Sequence, residues 1–488
     1  MIDFPSIFNW LEFFIIFYLG AINTVYFVLM ALGYFALRRS VARYTLAERQ
    51  GLLQSPLLPQ VSVLAAAHNK AATIRASVHA MLNLHYPNHE VIVINDGSTD
   101  NTLEILIEEF RLYRSSRSPA GLIATKPIRG IYQSRDPIPL VVVDKENGGK
   151  ADSLNAGLNT ARSPLIAAVD SDSLFEEYAL LYAVRPFLDD VEGTLAAGGI
   201  IRVANGCEVR RGKVTRLRAP RALLAQFQLV EYLKAFLGRR AAFSFMNALL
   251  GISGAFGLFR RDALVMAGGF LTGTVDEDME PVIRLHRLWR ERKQAYRIVF
   301  VPDPLCWTQV PETLTELREQ RNRWQQGAVE TLWRHRKMLL NPKFGVVGLF
   351  AVPYFALFEV FGPLVELAGY VVTIVGLFFR LIAPQTALLF FAVSILFGIG
   401  LSVSAIALEQ LVFSRYSSAR DLLRLFAAGI LENFGFRQVL DAWRLQGLIG
   451  GMRGREGGKA GERESGRAEE WESGGAGERV LPTSEPRA

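Results

Sequence analysis

From Phe13 to Leu37 the chain carries no charged residue. A helix needs roughly 20 apolar residues to cross the hydrocarbon of a bilayer, so this run predicts a membrane span. Composition agrees: half of the 488 residues are hydrophobic, while the 21% that are charged suffice to give at least one domain a watery surface. A secretory leader carries its basic residues ahead of the apolar run. Here Asp3 and Glu12 precede it, and Arg38, Arg39 and Arg43 follow. Basic flanks mark the cytoplasmic side, which predicts an outside N-terminus and a cytoplasmic chain from about Arg38 onward.

Residues 56–340 read differently. Short apolar runs, VSVLAAA from Val61, EVIVIND from Glu90, LVVVDKE from Leu140 and PLIAAVD from Pro164, alternate with amphipathic stretches. Continuous apolar strands separated by helices predict an α/β domain with a parallel sheet covered on both faces. Helices are expected at about Ala71–Leu84 and Thr102–Tyr113, the second capped from the cluster Ser98–Thr102. Two apolar stretches follow within 344–413. Thr386–Leu408 is uncharged and predicts a span; Phe344–Phe379 is interrupted by Pro353, Glu359, Pro363 and Glu366, and fits either one tilted span after an interfacial helix or two segments broken near Pro363. With 1–43 this makes three spans. Residues 416–450 read as an amphipathic interfacial segment and 451–488, Gly-rich and of mixed charge, as a disordered cytoplasmic tail. The stretch Gln226–Arg240 puts Phe227, Val230, Leu233 and Leu237 on one face and is equally an interfacial helix or part of the core.

The net charge of +7 admits nucleic acid, an anionic membrane face or a phosphorylated substrate. Arg and Lys cluster beside the spans and not along an aromatic-studded surface, which excludes nucleic acid as a partner. Cys207 and Cys306 are far apart and lack neighbours at metal-ligand spacing, so they read as small core residues.

In an open parallel sheet, ligands bind where the strands end. The second apolar run ends in Asn95-Asp96-Gly97-Ser98-Thr99-Asp100 and the fourth in Asp170-Ser171-Asp172. Carboxylates two apart after a strand can share one divalent ion, and oxygen-only ligands suit Mg²⁺ or Mn²⁺. Alone, such a pair reads first as a solvated turn. Further along stand Asn147-Gly148-Gly149-Lys150 leading to Asn155, then Ser253-Gly254-Ala255, Asp276-Glu277-Asp278 and Gln320-Arg321-Asn322-Arg323-Trp324.

In this order and spacing, the region from about Gln60 to Gly327 resembles the membrane-embedded, processive family 2 inverting glycosyltransferases, among them cellulose, hyaluronan and poly-N-acetylglucosamine synthases. The resemblance implies a Rossmann-like nucleotide-sugar-binding domain of the GT-A type with flanking transmembrane helices. It places Asp96 at the uracil of a UDP-sugar and Lys150 near the nucleotide and its phosphates. It matches Asp170 to nucleotide and metal, Asp172 to metal, and Asp278 to the general base that ends a Thr-Glu-Asp signature, with Asp276 standing where the family has Thr. Gln320, Arg323 and Trp324 match Gln-x-x-Arg-Trp, where Arg meets the diphosphate and Trp stacks on the acceptor sugar; Arg321 belongs to the common form of that motif. The loop after the first strand departs from the family's Pro-x-x-Asn-Glu: it is Ala66-Ala67-His68-Asn69-Lys70, a base replacing the acid, with His68 read as a loop residue.

The chemistry accounts for these residue types independently. A leaving diphosphate needs neutralising, which a divalent ion and Arg323 provide, and the acceptor hydroxyl needs a base, which Asp278 provides. One base without a second nucleophile implies single displacement with inversion. Asp278 also stands before Pro281 as an acidic helix N-terminus. The expected function is therefore extension of a β-linked exopolysaccharide from a UDP-sugar and its passage through the plasma (inner) membrane, with accessory export proteins as compatible partners. Glu359 and Glu366 within an apolar stretch support a polar conduit, or else pack against Arg residues. The alternatives are a non-processive enzyme adding one sugar to a lipid acceptor, and a catalytically silent scaffold or transporter, against which the intact acidic positions argue.

Overall fold

A computed structural model describes residues 4–41, 51–210, 213–275, 277–416 and 418–453. Asp276 and, of the tail read as disordered, residues 454–488 lie outside the described residues, while 451–453 end a helix. The central sheet is built from β1 (Val61–Ala67), β2 (His89–Asp96), β3 (Leu112–Arg114), β4 (Ile128–Ser134), β5 (Leu140–Lys145), β6 (Leu165–Asp170), β7 (Leu174–Phe175), β8 (Thr194–Val203), β11 (Phe256–Arg260) and β12 (Arg297–Thr308); β9 (Glu208–Arg210) and β10 (Lys213–Arg216) form a separate hairpin. The strand order is β3-β4-β5-β2-β1-β6-β11-β8-β12-β7.

The four apolar runs become β1, β2, β5 and β6, neighbours in parallel. Their Val, Ile and Ala side chains are buried on both faces, which is why they read as continuous and not alternating. The sheet as a whole is mixed, not parallel throughout. β11 runs antiparallel between β6 and β8, and β4 antiparallel to β5. Gly257 of β11 faces Gly198 of β8, and a Cβ on either would crowd Ile252, so two glycines make room for one branched side chain above the pair. Two of the expected helices are shorter than read, Ile74–Leu82 and Thr102–Glu109, and Leu112–Arg114 is strand. The nominal cap Asn101 makes no side-chain capping bond; Asp100 instead accepts from the Thr102 and Ala71 backbone N–H groups, tying the helix start to the loop after β1.

Outside the sheet, Ser6–Arg39 and Pro384–Val412 are helices long and apolar enough to cross a membrane. Val347–Val360 and Gly362–Phe378 form a pair bent by 41°, broken beside Pro363 where the prolyl ring cannot continue the helical ladder. The stretch Gln226–Arg240 is core: Phe227, Val230, Leu233 and Leu237 are buried, and Gly33 of the N-terminal helix approaches so closely that a Cβ would lie 2.5 Å from the Leu237 and Gly238 carbonyls. The segment 416–450 is two helices, Ala419–Leu431 and Phe436–Arg453, turning at Gly435 with φ of 93°. The second does more than lie on a surface. Its Gly447 packs against Asn322 and Gln325 of the helix Leu314–Arg334, and its Arg444 donates to Gln325 and to the Glu359 carbonyl. The chain segment after the last apolar helix thus braces the helix that carries the Gln-x-x-Arg-Trp residues.

Candidate active site

Register assembles the site. Ala66 of β1 lies opposite Asp170 of β6, and Ala67 opposite Asn95 of β2, so the acids that end β2 and β6 emerge on one edge of the sheet. Asp96 is buried there, with both carboxylate oxygens engaged: it accepts from Lys145 Nζ at 2.5 Å, Gly148 N at 3.0 Å and Gly149 N at 2.8 Å. Lys145 is wholly buried and also bridges to Asp152 at 2.7 Å. One ammonium between two carboxylates therefore clamps the Asn147–Lys150 loop onto β2. Gly149 sits at φ 80°, a conformation that only glycine adopts without strain. His68 lies 2.9 Å from the Asp96 carbonyl through Nδ1, and Asn147 donates to the same oxygen, so His68 acts as a loop bridge.

The clamped loop delivers Lys150 to the acids. Its Nζ lies 2.6 Å from Asp170 and 2.9 Å from Glu277. Burial pushes the Asp170 carboxyl up to about 6, with Lys150 opposing and the Asp172 charge adding. Burial works against the Lys150 ammonium as well, yet Asp170 and Glu277 hold its pKa well above the ordinary lysine value. Asp172 is more exposed and pairs at 3.4 Å with Lys70, the base in the loop after β1. Among the described residues, no cluster of three or more His, Cys, Asp or Glu could by itself hold a metal. Two carboxylates suit a divalent ion whose remaining ligands come from a diphosphate and water, and Lys150 and Lys70 touch the oxygens such an ion would take.

Asp278 precedes the helix Glu280–Glu291 but makes no capping bond; the N-cap is Met279. Its Oδ2 accepts from Gly254 N at 2.7 Å, which aims the carboxylate at the Asp170 side of the site. A Cβ on Gly254 would stand 3.2 Å from that oxygen and 3.3 Å from Lys150 Nζ, so the Ser253-Gly254-Ala255 motif needs its glycine for space. Gln320, Arg321, Arg323 and Trp324 share the helix Leu314–Arg334, opened by Thr313, whose hydroxyl accepts from Glu316 N. Gln320 Oε1 is buried without a hydrogen-bond partner. Arg323 and Trp324 are exposed to the site. Arg321 is buried in a two-pronged ion pair with Glu231, at 2.9 and 2.8 Å.

One cavity of about 2420 Å³ is lined by Asp96, Lys150, Asp170, Asp172, Asp278, Gln320, Arg321, Arg323 and Trp324. It continues between the apolar helices to Tyr18, Tyr26, Glu359 and Glu366. Both glutamates line it and also pair with arginines, Glu359 with Arg239 and Glu366 with Arg437 at 2.7 Å. Sequence reasoning left out Lys145, Glu231, Arg239 and Arg437. Lys145 carried a signal, an isolated cation ending an apolar strand; the others are polar positions of amphipathic helices whose partners are remote in sequence.

Residues 62–265 match glycosyl transferase family 2, and residues 165–401 match glycosyl transferase family group 2. A family 2 glycosyl transferase domain thus spans residues 62–265. It is 29% identical over 329 residues to a poly-beta-1,6-N-acetyl-D-glucosamine synthase of Staphylococcus epidermidis, 67% of either chain. It is 29% identical over 328 residues to the enzyme of that name from Staphylococcus aureus strain COL, 67% of this chain and 66% of that one. Among solved structures, the mannosyltransferase PcManGT of Pyrobaculum calidifontis, in complex with GDP-Man and Mn²⁺, overlays with a TM-score of 0.47 at 17% identity, covering 88% of this chain and 99% of that one. The two matches together run from β1 into the last apolar helix, and the bracing helix Phe436–Arg453 lies beyond them.

Proposed function

We propose that the protein is a processive, inverting synthase that extends a β-1,6-linked N-acetylglucosamine polymer from UDP-N-acetylglucosamine and passes it across the plasma membrane. The observation that carries this reading is a continuous cavity that joins the acid-lined strand ends to polar residues between the apolar helices. A transferase that releases its product into water has no use for such a continuation. The names of the relatives support the choice of sugar and linkage.

Asp170 and Asp172 would hold Mg²⁺ or Mn²⁺, which supplies charge for the leaving diphosphate. Lys150 and Arg323 add positive charge beside it, and the apolar surroundings strengthen both. Asp278 takes the proton of the acceptor hydroxyl as that oxygen attacks the anomeric carbon, and the carbon–oxygen bond to the diphosphate breaks on the opposite side, inverting the centre. Asp96 shapes the nucleotide pocket through the loop it clamps. Trp324 offers its ring to the acceptor sugar. The sheet domain then faces the cytoplasm, where the donor is made, and the apolar helices span the membrane, with lipid around them and accessory export proteins beyond.

The test is to incubate the purified full-length protein in lipid with a panel of UDP-sugars and Mg²⁺ or Mn²⁺. Long polymer from UDP-N-acetylglucosamine, lost on chelation, is expected. Single-sugar products would refute processivity, and no product from any UDP-sugar would refute the synthase.

A further inference from the structure

Glu231 sits in the helix Leu223–Leu233, an element that carries none of the signature motifs. Its carboxylate is the partner of Arg321, which donates one N–H to each oxygen. Arg321 is 5% exposed, and its guanidinium carbon lies 4.5 Å from the centroid of the Trp324 ring. Trp324 itself is 47% exposed and lines the cavity. A half-exposed indole on a helix surface has several rotamers open to it. A guanidinium held in one plane by a two-pronged carboxylate and laid against the ring selects among them, because the attraction depends on the cation facing the ring.

We infer that Glu231 is a positioning residue for the acceptor: through Arg321 it pre-sets the Trp324 ring on which the growing end of the polymer rests. This rests on the function proposed above. It also assigns Arg321 a part in holding the platform, and leaves the diphosphate to Arg323, which is exposed in the same cavity. Glu231→Gln keeps the shape and one acceptor oxygen but loses the charge that fixes the guanidinium plane.

The experiment measures binding of a β-1,6-linked N-acetylglucosamine pentasaccharide, and separately of UDP, to the full-length protein, wild type against Glu231→Gln. Losing a cation–ring contact corresponds to roughly three- to thirtyfold in affinity. The expected result is pentasaccharide affinity weaker by that factor and shorter polymers, with UDP affinity unchanged. Arg321→Lys, which keeps the charge but loses the planar fork, should act like Glu231→Gln. The inference is overturned if the pentasaccharide binds both proteins equally, if UDP affinity falls in step, or if wild type binds no pentasaccharide. Turnover of UDP-sugars by the wild type is read apart from these affinities, so failure of the synthase reading is told from failure of the positioning role.

Discussion

Gly254→Ala separates the catalytic geometry from stability. The glycine lies outside the left-handed region of backbone space, so alanine fits its φ, and in the unfolded chain alanine has less freedom to lose, which favours folding by about 0.4–1 kcal/mol. The new methyl group would stand 3.2 Å from Asp278 Oδ2, 3.3 Å from Lys150 Nζ and 3.4 Å from Asp278 Cβ. These neighbours must yield by a few tenths of an ångström, and the one that yields is the end of the proposed base or of the cation beside it. A misplacement of 1 Å in a catalytic constellation costs on the order of 100-fold, so a few tenths cost about three- to tenfold, or about 1 kcal/mol in the barrier. Polymer synthesis measured by release of UDP should show kcat lowered by that factor, with UDP affinity kept and Tm equal to or slightly above wild type. Wild-type kcat in the variant would refute the packing argument, and a drop in Tm alongside kcat would show that the glycine serves the fold.

Asp172→Asn should abolish metal-dependent turnover while Tm stays within a degree or two, because an amide is a far weaker ligand than a carboxylate; wild-type rates would remove Asp172 from the metal site. Lys145→Met leaves Asp96 and Asp152 buried without their shared cation, and breaking a buried pair costs about 3–5 kcal/mol. In a domain of this size that lowers Tm by roughly 10 °C, and an unchanged Tm would show that the clamp carries little. His286, wholly buried, donates through Nε2 to the Leu249 carbonyl and accepts from the Tyr296 hydroxyl, and burial depresses its pKa to about 4. The neutral ring is favoured by folding, so its contribution is present above pH 6.5 and is lost as the pH falls towards 4. Between pH 7 and pH 5 the loss is about 2 kcal/mol. Comparing Tm with pH for wild type and His286→Gln checks this, and parallel curves would refute it.

What local chemistry alone dictates was legible in the sequence. The uncharged runs Phe13–Leu37 and Thr386–Leu408 announce long apolar helices because hydrocarbon accepts little else, and the structure has them as Ser6–Arg39 and Pro384–Val412. The runs that became β1, β2, β5 and β6 are continuous because both faces of a central strand are covered, and that same burial confines the acids Asp96 and Asp170 to the strand ends. The antiparallel β11 could not be read, since strand direction is set by partners and Phe256–Arg260 carries the same apolar pattern either way. Lys145 reads as the last polar residue of a strand; that it stands between Asp96 and Asp152 follows from the fold, which carries the Asp152 helix back over β2. Arg321 reads as one residue of the Gln-x-x-Arg-Trp motif, and only packing of the helix Leu223–Leu233 against its own gives it Glu231. Side-chain identity and local pattern decide which groups can carry charge, bend a helix or cross a membrane. Which charge faces which, across 90 residues between Glu231 and Arg321 or 49 between Asp96 and Lys145, is decided by tertiary contacts that leave no periodic trace in the chain.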